Sequence, residues 1–154
     1  MYLSEHFHLT EFTSSQTAER YGLDNTPDTN VINNLTHLCV EVLEPLRRHL
    51  CQPVVICSGY RSKQVNKLVG GVRTSQHLTG EAADIAMPRR DAQGKPLTHA
   101  ASLSLLQEWM SWIIENTDFD QCILEHTKKG DYWIHVSHTT GRNRHCVIPN
   151  ILKK

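Results

Sequence analysis

The run Ala82-Ala83-Asp84-Ile85-Ala86-Met87 sets one carboxylate among five apolar residues, and no other stretch constrains the fold as strongly. A short apolar run of this kind reads as a buried strand. A buried carboxylate costs several kcal/mol unless it is paired or bound to a metal. Any fold that buries this run must therefore bring cationic groups or a metal to Asp84. A salt bridge to Arg61 or Arg89 is the simplest alternative to a metal.

The rest of the chain supplies helices and a few short strands. Residues 1 to 30 are polar and are expected to wrap as a loop with one short helix. Asp28-Thr29-Asn30 can cap a helix that begins at Val31. Val31, Leu35, Leu38, Val42, Leu46 and Leu50 then recur every three or four residues as one apolar face, and Pro45 should kink that helix. Pro53 to Cys57 reads as a strand, and Ser62 to Leu68 as a helix ended by Gly70-Gly71. Thr98 can cap a helix reaching Asn116, with Leu103, Leu106, Met110, Ile113 and Ile114 inward. Gln121 to His126 and Tyr132 to His138 read as two strands of an antiparallel hairpin, and Cys146-Val147-Ile148 as an edge strand. The expected class is α+β: a small, largely antiparallel sheet with helices packed on it, and a metal cleft on the sheet.

Composition narrows the function. The chain of 154 residues fits one domain, residues 1–154. Sixteen basic residues balance sixteen acidic ones, which gives no support for nucleic acid or an anionic membrane as partner. No apolar run approaches a membrane span, and the N-terminus does not resemble a secretory signal peptide. The expectation is a monomer, cytoplasmic as made. The five cysteines contain no C-x-x-C, so they are expected to be reduced and mostly buried.

Two histidines join Asp84 as candidates. His77 precedes a Gly80 turn that leads into the Asp84 strand, and His135 lies in Trp133-Ile134-His135-Val136-Ser137. On a strand, Trp133, His135 and Ser137 share one face while Ile134 and Val136 share the other, so His135 can look into a cleft. Either histidine alone is adequately explained by ordinary hydrogen bonding, and a His-x6-Asp spacing is a weak signal. Together, two imidazoles and a carboxylate match the composition of a catalytic zinc site, with a fourth position for water.

Several segments together resemble the zinc D-Ala-D-Ala carboxypeptidase family, which includes phage and bacterial peptidoglycan endopeptidases, and its small single-domain branch in particular. They are Ser58-Gly-Tyr-Arg-Ser62, Asn66, Gly70-Gly71, Ser75-Gln-His77, Gly80-Glu-Ala-Ala-Asp-Ile85 and Trp133-Ile-His-Val-Ser137. His6 to Phe12 and Val42 to Arg47 resemble it as well. The resemblance implies Zn2+ on His77, Asp84 and His135. It places Arg61 at the site edge, where a guanidinium can bind a substrate carboxylate or a developing oxyanion. Ser75, Gln76, Trp133 and Ser137 are the expected substrate-binding residues. The implied partner is a peptidoglycan peptide. Since that polymer lies outside the cytoplasm, the chain would reach it by release, as a phage lysin does, or by another route of export.

One position departs from the better-known members, whose general base is often a Glu three residues before the last His ligand. Tyr132 stands there. Two other carboxylates are candidates. With a three-residue loop Lys129-Gly130-Asp131, Glu125 pairs opposite His135 and faces the metal; a two-residue loop turns it away. Asp131, at the turn, is the second candidate. The sequence leaves open an active peptidase, either carboxypeptidase or endopeptidase, and a zinc-bearing binding module that lacks turnover.

Overall fold

In the computed structural model, which describes residues Met1–Lys153, the Asp28 carboxylate accepts from the Val31 N–H at 2.9 Å and starts the first long helix where the sequence predicts. That helix is α3 (Thr29–Leu38), preceded by two short ones, α1 (Leu9–Thr13) and α2 (Gln16–Tyr21), where only one was expected. Pro45 reshapes the chain beyond α3. A proline within a helix has no N–H to donate, and its ring collides with the carbonyl four residues back. The chain answers with a wider π-helical turn, Cys39–Leu43, in which the Glu44 N–H donates to the Cys39 carbonyl five residues back. The helical path then continues as α4 (Glu44–Leu50). The apolar face survives the wider turn, and Val31, Leu35, Leu38, Val42 and Leu46 are all buried.

Glu44 is buried on that rod, which the sequence did not suggest. Its carboxylate accepts from the Ser4 hydroxyl and the His6 backbone N–H, and His6 Nδ1 lies 2.5 Å from it. These bonds clasp the N-terminal segment onto the helices.

Five strands form one sheet in the order β1-β2-β4-β3-β5: β1 (Ile56–Ser58), β2 (Ala82–Ala86), β3 (Gln121–His126), β4 (Tyr132–Ser137) and β5 (Cys146–Leu152). β1 begins later than predicted, at Ile56, with Val54 buried and Val55 exposed ahead of it. The edge strand exists and is longer than predicted. It runs parallel to β3, whereas the other pairs are antiparallel. Two further helices complete the fold, α5 (Lys63–Leu68) and α6 (His99–Asn116), capped by the Ser62 and Thr98 side chains. On α6, Leu106, Met110 and Ile113 are buried as expected, Leu103 and Ile114 are only partly buried, and Trp109 is buried as well.

Alternation divides the sheet into two faces. Ala83, Ile85, Cys122, Leu124, Ile134 and Val136 belong to the hydrophobic core with the helices. Asp84, Ile123, Glu125, Trp133 and His135 line the opposite face, along a groove of about 1420 Å³. All five cysteines are free; only Cys39 and Cys122 are buried, so most are not. No described helix is long and apolar enough to cross a membrane.

Candidate metal centre

Strand pairing puts the first two candidate ligands together. Asp84 on β2 is the direct cross-strand partner of His135 on β4. Such partners carry their side chains on the same face, a few ångströms apart. Asp84 Oδ1 lies 3.1 Å from His135 Nδ1. His77 arrives from a one-turn 3-10 helix, Gln76–Thr79, which Ser75 starts by accepting from the His77 N–H. Its Nε2 stands 3.2 Å from the same Oδ1. The two rings meet edge to face at 5.1 Å. All three residues are buried, and their ligand atoms lie within 4.8 Å of one another.

The donor set suits a divalent metal. His77 Nδ1 is 2.7 Å from the Gly59 carbonyl, which can only accept, so that nitrogen carries the proton. In the neutral ring, Nε2 then turns its lone pair toward the Asp84 carboxylate, another acceptor. A cation between them satisfies both, and an imidazole whose other N–H is held by a carbonyl is the usual arrangement of a metal ligand. Donor atoms around a tetrahedral zinc stand about 3.3 Å apart, close to the separations here. Burial pushes the Asp84 carboxyl up; with both rings protonated, the charges and hydrogen bonds of His77 and His135 outweigh burial and hold it well below the ordinary carboxylate range.

Arg61 shares this carboxylate. Its Nη2 lies 3.5 Å from Asp84 Oδ2, so the salt bridge weighed as the alternative to a metal is present. The guanidinium is further held by Ser58 Oγ at 3.2 Å and Asn66 Oδ1 at 3.3 Å. The Arg61 N–H donates to the His77 carbonyl, tying both loops together. Two glycines make this possible. A Cβ on Gly59 would sit 2.6 Å from the Phe12 backbone, and one on Gly71 would sit 2.0 Å from Asn66 Oδ1.

The hairpin register differs from the expected one. Glu125 pairs with Trp133, and His135 pairs with Ile123. The connection spans residues 127 to 131, closed by the Thr127 N–H donating to the Asp131 carbonyl at 3.0 Å. This shifts the pairing by two residues from the three-residue loop, and an even shift keeps the face. Glu125 therefore still looks toward the candidate ligands. It is buried, with Oε1 at 4.0 Å from His135 Nδ1, while Oε2 accepts from Trp133 Nε1 at 3.1 Å and lies 3.5 Å from Lys153 Nζ. Asp131 is exposed at the turn and accepts from the Thr127 hydroxyl. It stands four residues from His135, roughly 13 Å along an extended strand.

Of the expected substrate-binding residues, Ser75, Gln76 and Trp133 line the groove. Ser137 does not: it is fully buried, and its hydroxyl is taken by the Gln121 N–H at 3.0 Å. Asp120, Arg144, Lys153 and the bond of the Gly59 carbonyl to His77 carry no spacing signal in the sequence. A backbone carbonyl leaves no trace in residue type. The only hint to Asp120 was a carboxylate directly preceding a predicted strand.

The chain matches no curated protein sequence. A family model described as peptidase M15 matches residues 5–103, nearly two thirds of the chain. The match contains His77, Asp84 and Arg61, while the sheet delivers His135 from beyond it. Ligand geometry and family match point the same way, and the chain belongs to the peptidase M15 family.

Proposed function

We propose that the chain is a zinc-dependent peptidase that hydrolyses peptidoglycan stem peptides or their cross-links. The observation that carries this reading is the convergence of His77 Nε2, Asp84 Oδ1 and His135 Nδ1 in a groove of about 1420 Å³. Zinc held there would supply a water activated for attack on a carbonyl near neutral pH.

The chain's own residues do the rest. Glu125 is the proton acceptor: its Oε1 is within reach of a water beside His135 Nδ1, and Trp133 and Lys153 fix the other oxygen. The same carboxyl can later pass the proton to the leaving amine. Arg61, held by Ser58 and Asn66, offers its guanidinium to the oxygen on which negative charge develops. Trp133 forms the groove wall beside Glu125.

The groove passes the ligands in both directions, from Lys129 and Asp131 at the hairpin turn to Gln121 and Arg144 at the other end of the strands. That supports cleavage within a peptide over removal of one terminal residue. The work would be done after release to the cell wall, in the manner of a lysin.

Digestion of purified cell-wall peptides with mass analysis of the products tests the proposal. Internal fragments are expected. Loss of a single terminal D-Ala would instead make it a carboxypeptidase. Zinc binding with no cleavage of any cell-wall peptide would overturn the peptidase reading in favour of a binding module, the reading that Tyr132 at the usual base position favours.

A further inference from the structure

Asp120 directly precedes β3 and is 1% exposed, yet none of the chemistry above uses it. Its Oδ1 accepts from the Arg144 backbone N–H at 2.8 Å and from Arg144 Nε at 2.9 Å. Its Oδ2 accepts from Arg144 Nη2 and from Gln76 Nε2, each at 2.8 Å. Gln76 adjoins the ligand His77 and also donates to Thr139 Oγ1 at 3.0 Å. The backbone bond alone would clamp the loop. The two side-chain bonds do something more: they fix the plane and direction of a guanidinium that lines the groove.

A guanidinium has two edges able to grip a carboxylate in two-pronged fashion. Asp120 occupies the edge formed by Nε and Nη2. The edge formed by Nη1 and the second Nη2 hydrogen has no protein partner among the described residues, and the side chain is 59% exposed. Arg61 is different: its nitrogens are spread over Ser58, Asn66 and Asp84, and it is 17% exposed. Because Asp120 cancels the charge of Arg144, selection there rests on aligned donors more than on bulk attraction. A carboxylate presents two acceptors to such an edge, whereas a carboxamide presents one acceptor and one clashing N–H donor.

Strand pitch gives the spacing. His135 pairs with Ile123, three positions along β3 from Asp120. Three steps of an extended strand span roughly 10 Å. We propose that Arg144, aimed by Asp120, is a specificity residue that binds a free carboxylate carried two or three residues from the bond that is cut. This rests on the reading of the groove as a peptide site.

The test uses the zinc-loaded protein and a set of stem peptides, each with one carboxylate amidated. The preference for each parent over its amidated twin is read as a ratio of kcat/KM where cleavage occurs, and as a ratio of Kd by calorimetry where it does not. One member of the set should lose at least about tenfold on amidation, as expected for a charge-assisted hydrogen bond. Arg144→Gln should bring that ratio close to one. Arg144→Lys, which keeps the charge and loses the fork, should fall between. Equal treatment of every twin by the wild type overturns the proposal, as does failure to bind any of the peptides. So does an Arg144→Gln protein that handles both twins worse but keeps their ratio, because that is the signature of a loop clamp. An intact binding ratio without cleavage would leave the carboxylate site standing and count against the peptidase reading alone.

Discussion

Asp84 and His135 stand directly opposite each other on β2 and β4, with Oδ1 of one 3.1 Å from Nδ1 of the other. Because side chains alternate along a strand, a slip of one residue in this pair would bury one of them in the core. A metal held by this pair would therefore couple its affinity to sheet register, and metal binding should stabilise the fold. Zinc at about 100 times its Kd adds about 2.7 kcal/mol. For a domain of this size that is roughly 5 to 10 °C in Tm. Chelation should lower Tm by that amount, and Asp84→Ala should melt at the same temperature with and without zinc. A zinc-dependent shift that persists in Asp84→Ala would place the stabilising ion elsewhere.

Glu125→Gln is expected to keep its zinc and its fold and to lose activity by about 10²-fold or more. Glutamine keeps the bond from Trp133 and cannot take a proton from water. Asp131→Asn should retain most turnover, since Asp131 sits at the turn. Measuring both variants for zinc content and kcat decides between them. A dead Asp131→Asn beside an active Glu125→Gln would exchange the two roles.

Arg61→Ala should cost about 10²-fold in kcat/KM through loss of charge stabilisation. Arg61→Lys should recover little, because an ammonium cannot serve Ser58, Asn66 and the reacting oxygen together. Thermal melts of the metal-loaded variants give the control. A fall in Tm of more than about 10 °C in Arg61→Ala would make the residue chiefly a partner for Asp84.

Asp120 gives a prediction in pH. Hydrogen bonds from the Arg144 side chain come first among the causes that hold its carboxyl at about 2, with burial opposing. An unfolded Asp titrates near 3.9. The folded value is the lower one, so the stabilisation is complete above about pH 4 and is lost as pH falls toward 2. The full difference amounts to about 2.6 kcal/mol, of which about 2 kcal/mol is lost between pH 5 and pH 2. Urea unfolding at pH 5 and at pH 2 should show the gap between wild type and Asp120→Asn closing by about that much. A constant gap would mean that Asp120 is not held low by Arg144.

Much of the site could be read from residue order because alternation and capping are local. The carboxylate in an apolar strand demanded partners, His135 shared its face with Trp133, and Asp28 and Thr98 start helices as their side chains predict. What escaped was set by how one turn closes and by distant contacts. The hairpin register depends on how residues 127 to 131 close their own hydrogen bonds. Glu44 is buried because Ser4 and His6 come back some forty residues to meet it. Ser137 shares a face with His135, but it is buried and its hydroxyl accepts from the Gln121 N–H where β3 begins. Asp120 and Arg144 belong to no spacing motif, and only the folded sheet shows that they form a fork at the end of the groove.

Zinc stoichiometry tests the central claim most directly. Elemental analysis after exhaustive dialysis should find one zinc per wild-type chain and almost none in His77→Ala, Asp84→Ala or His135→Ala, each shown by circular dichroism to be folded. Full zinc occupancy in any one of these three variants, or a wild-type protein that retains no metal, would contradict it.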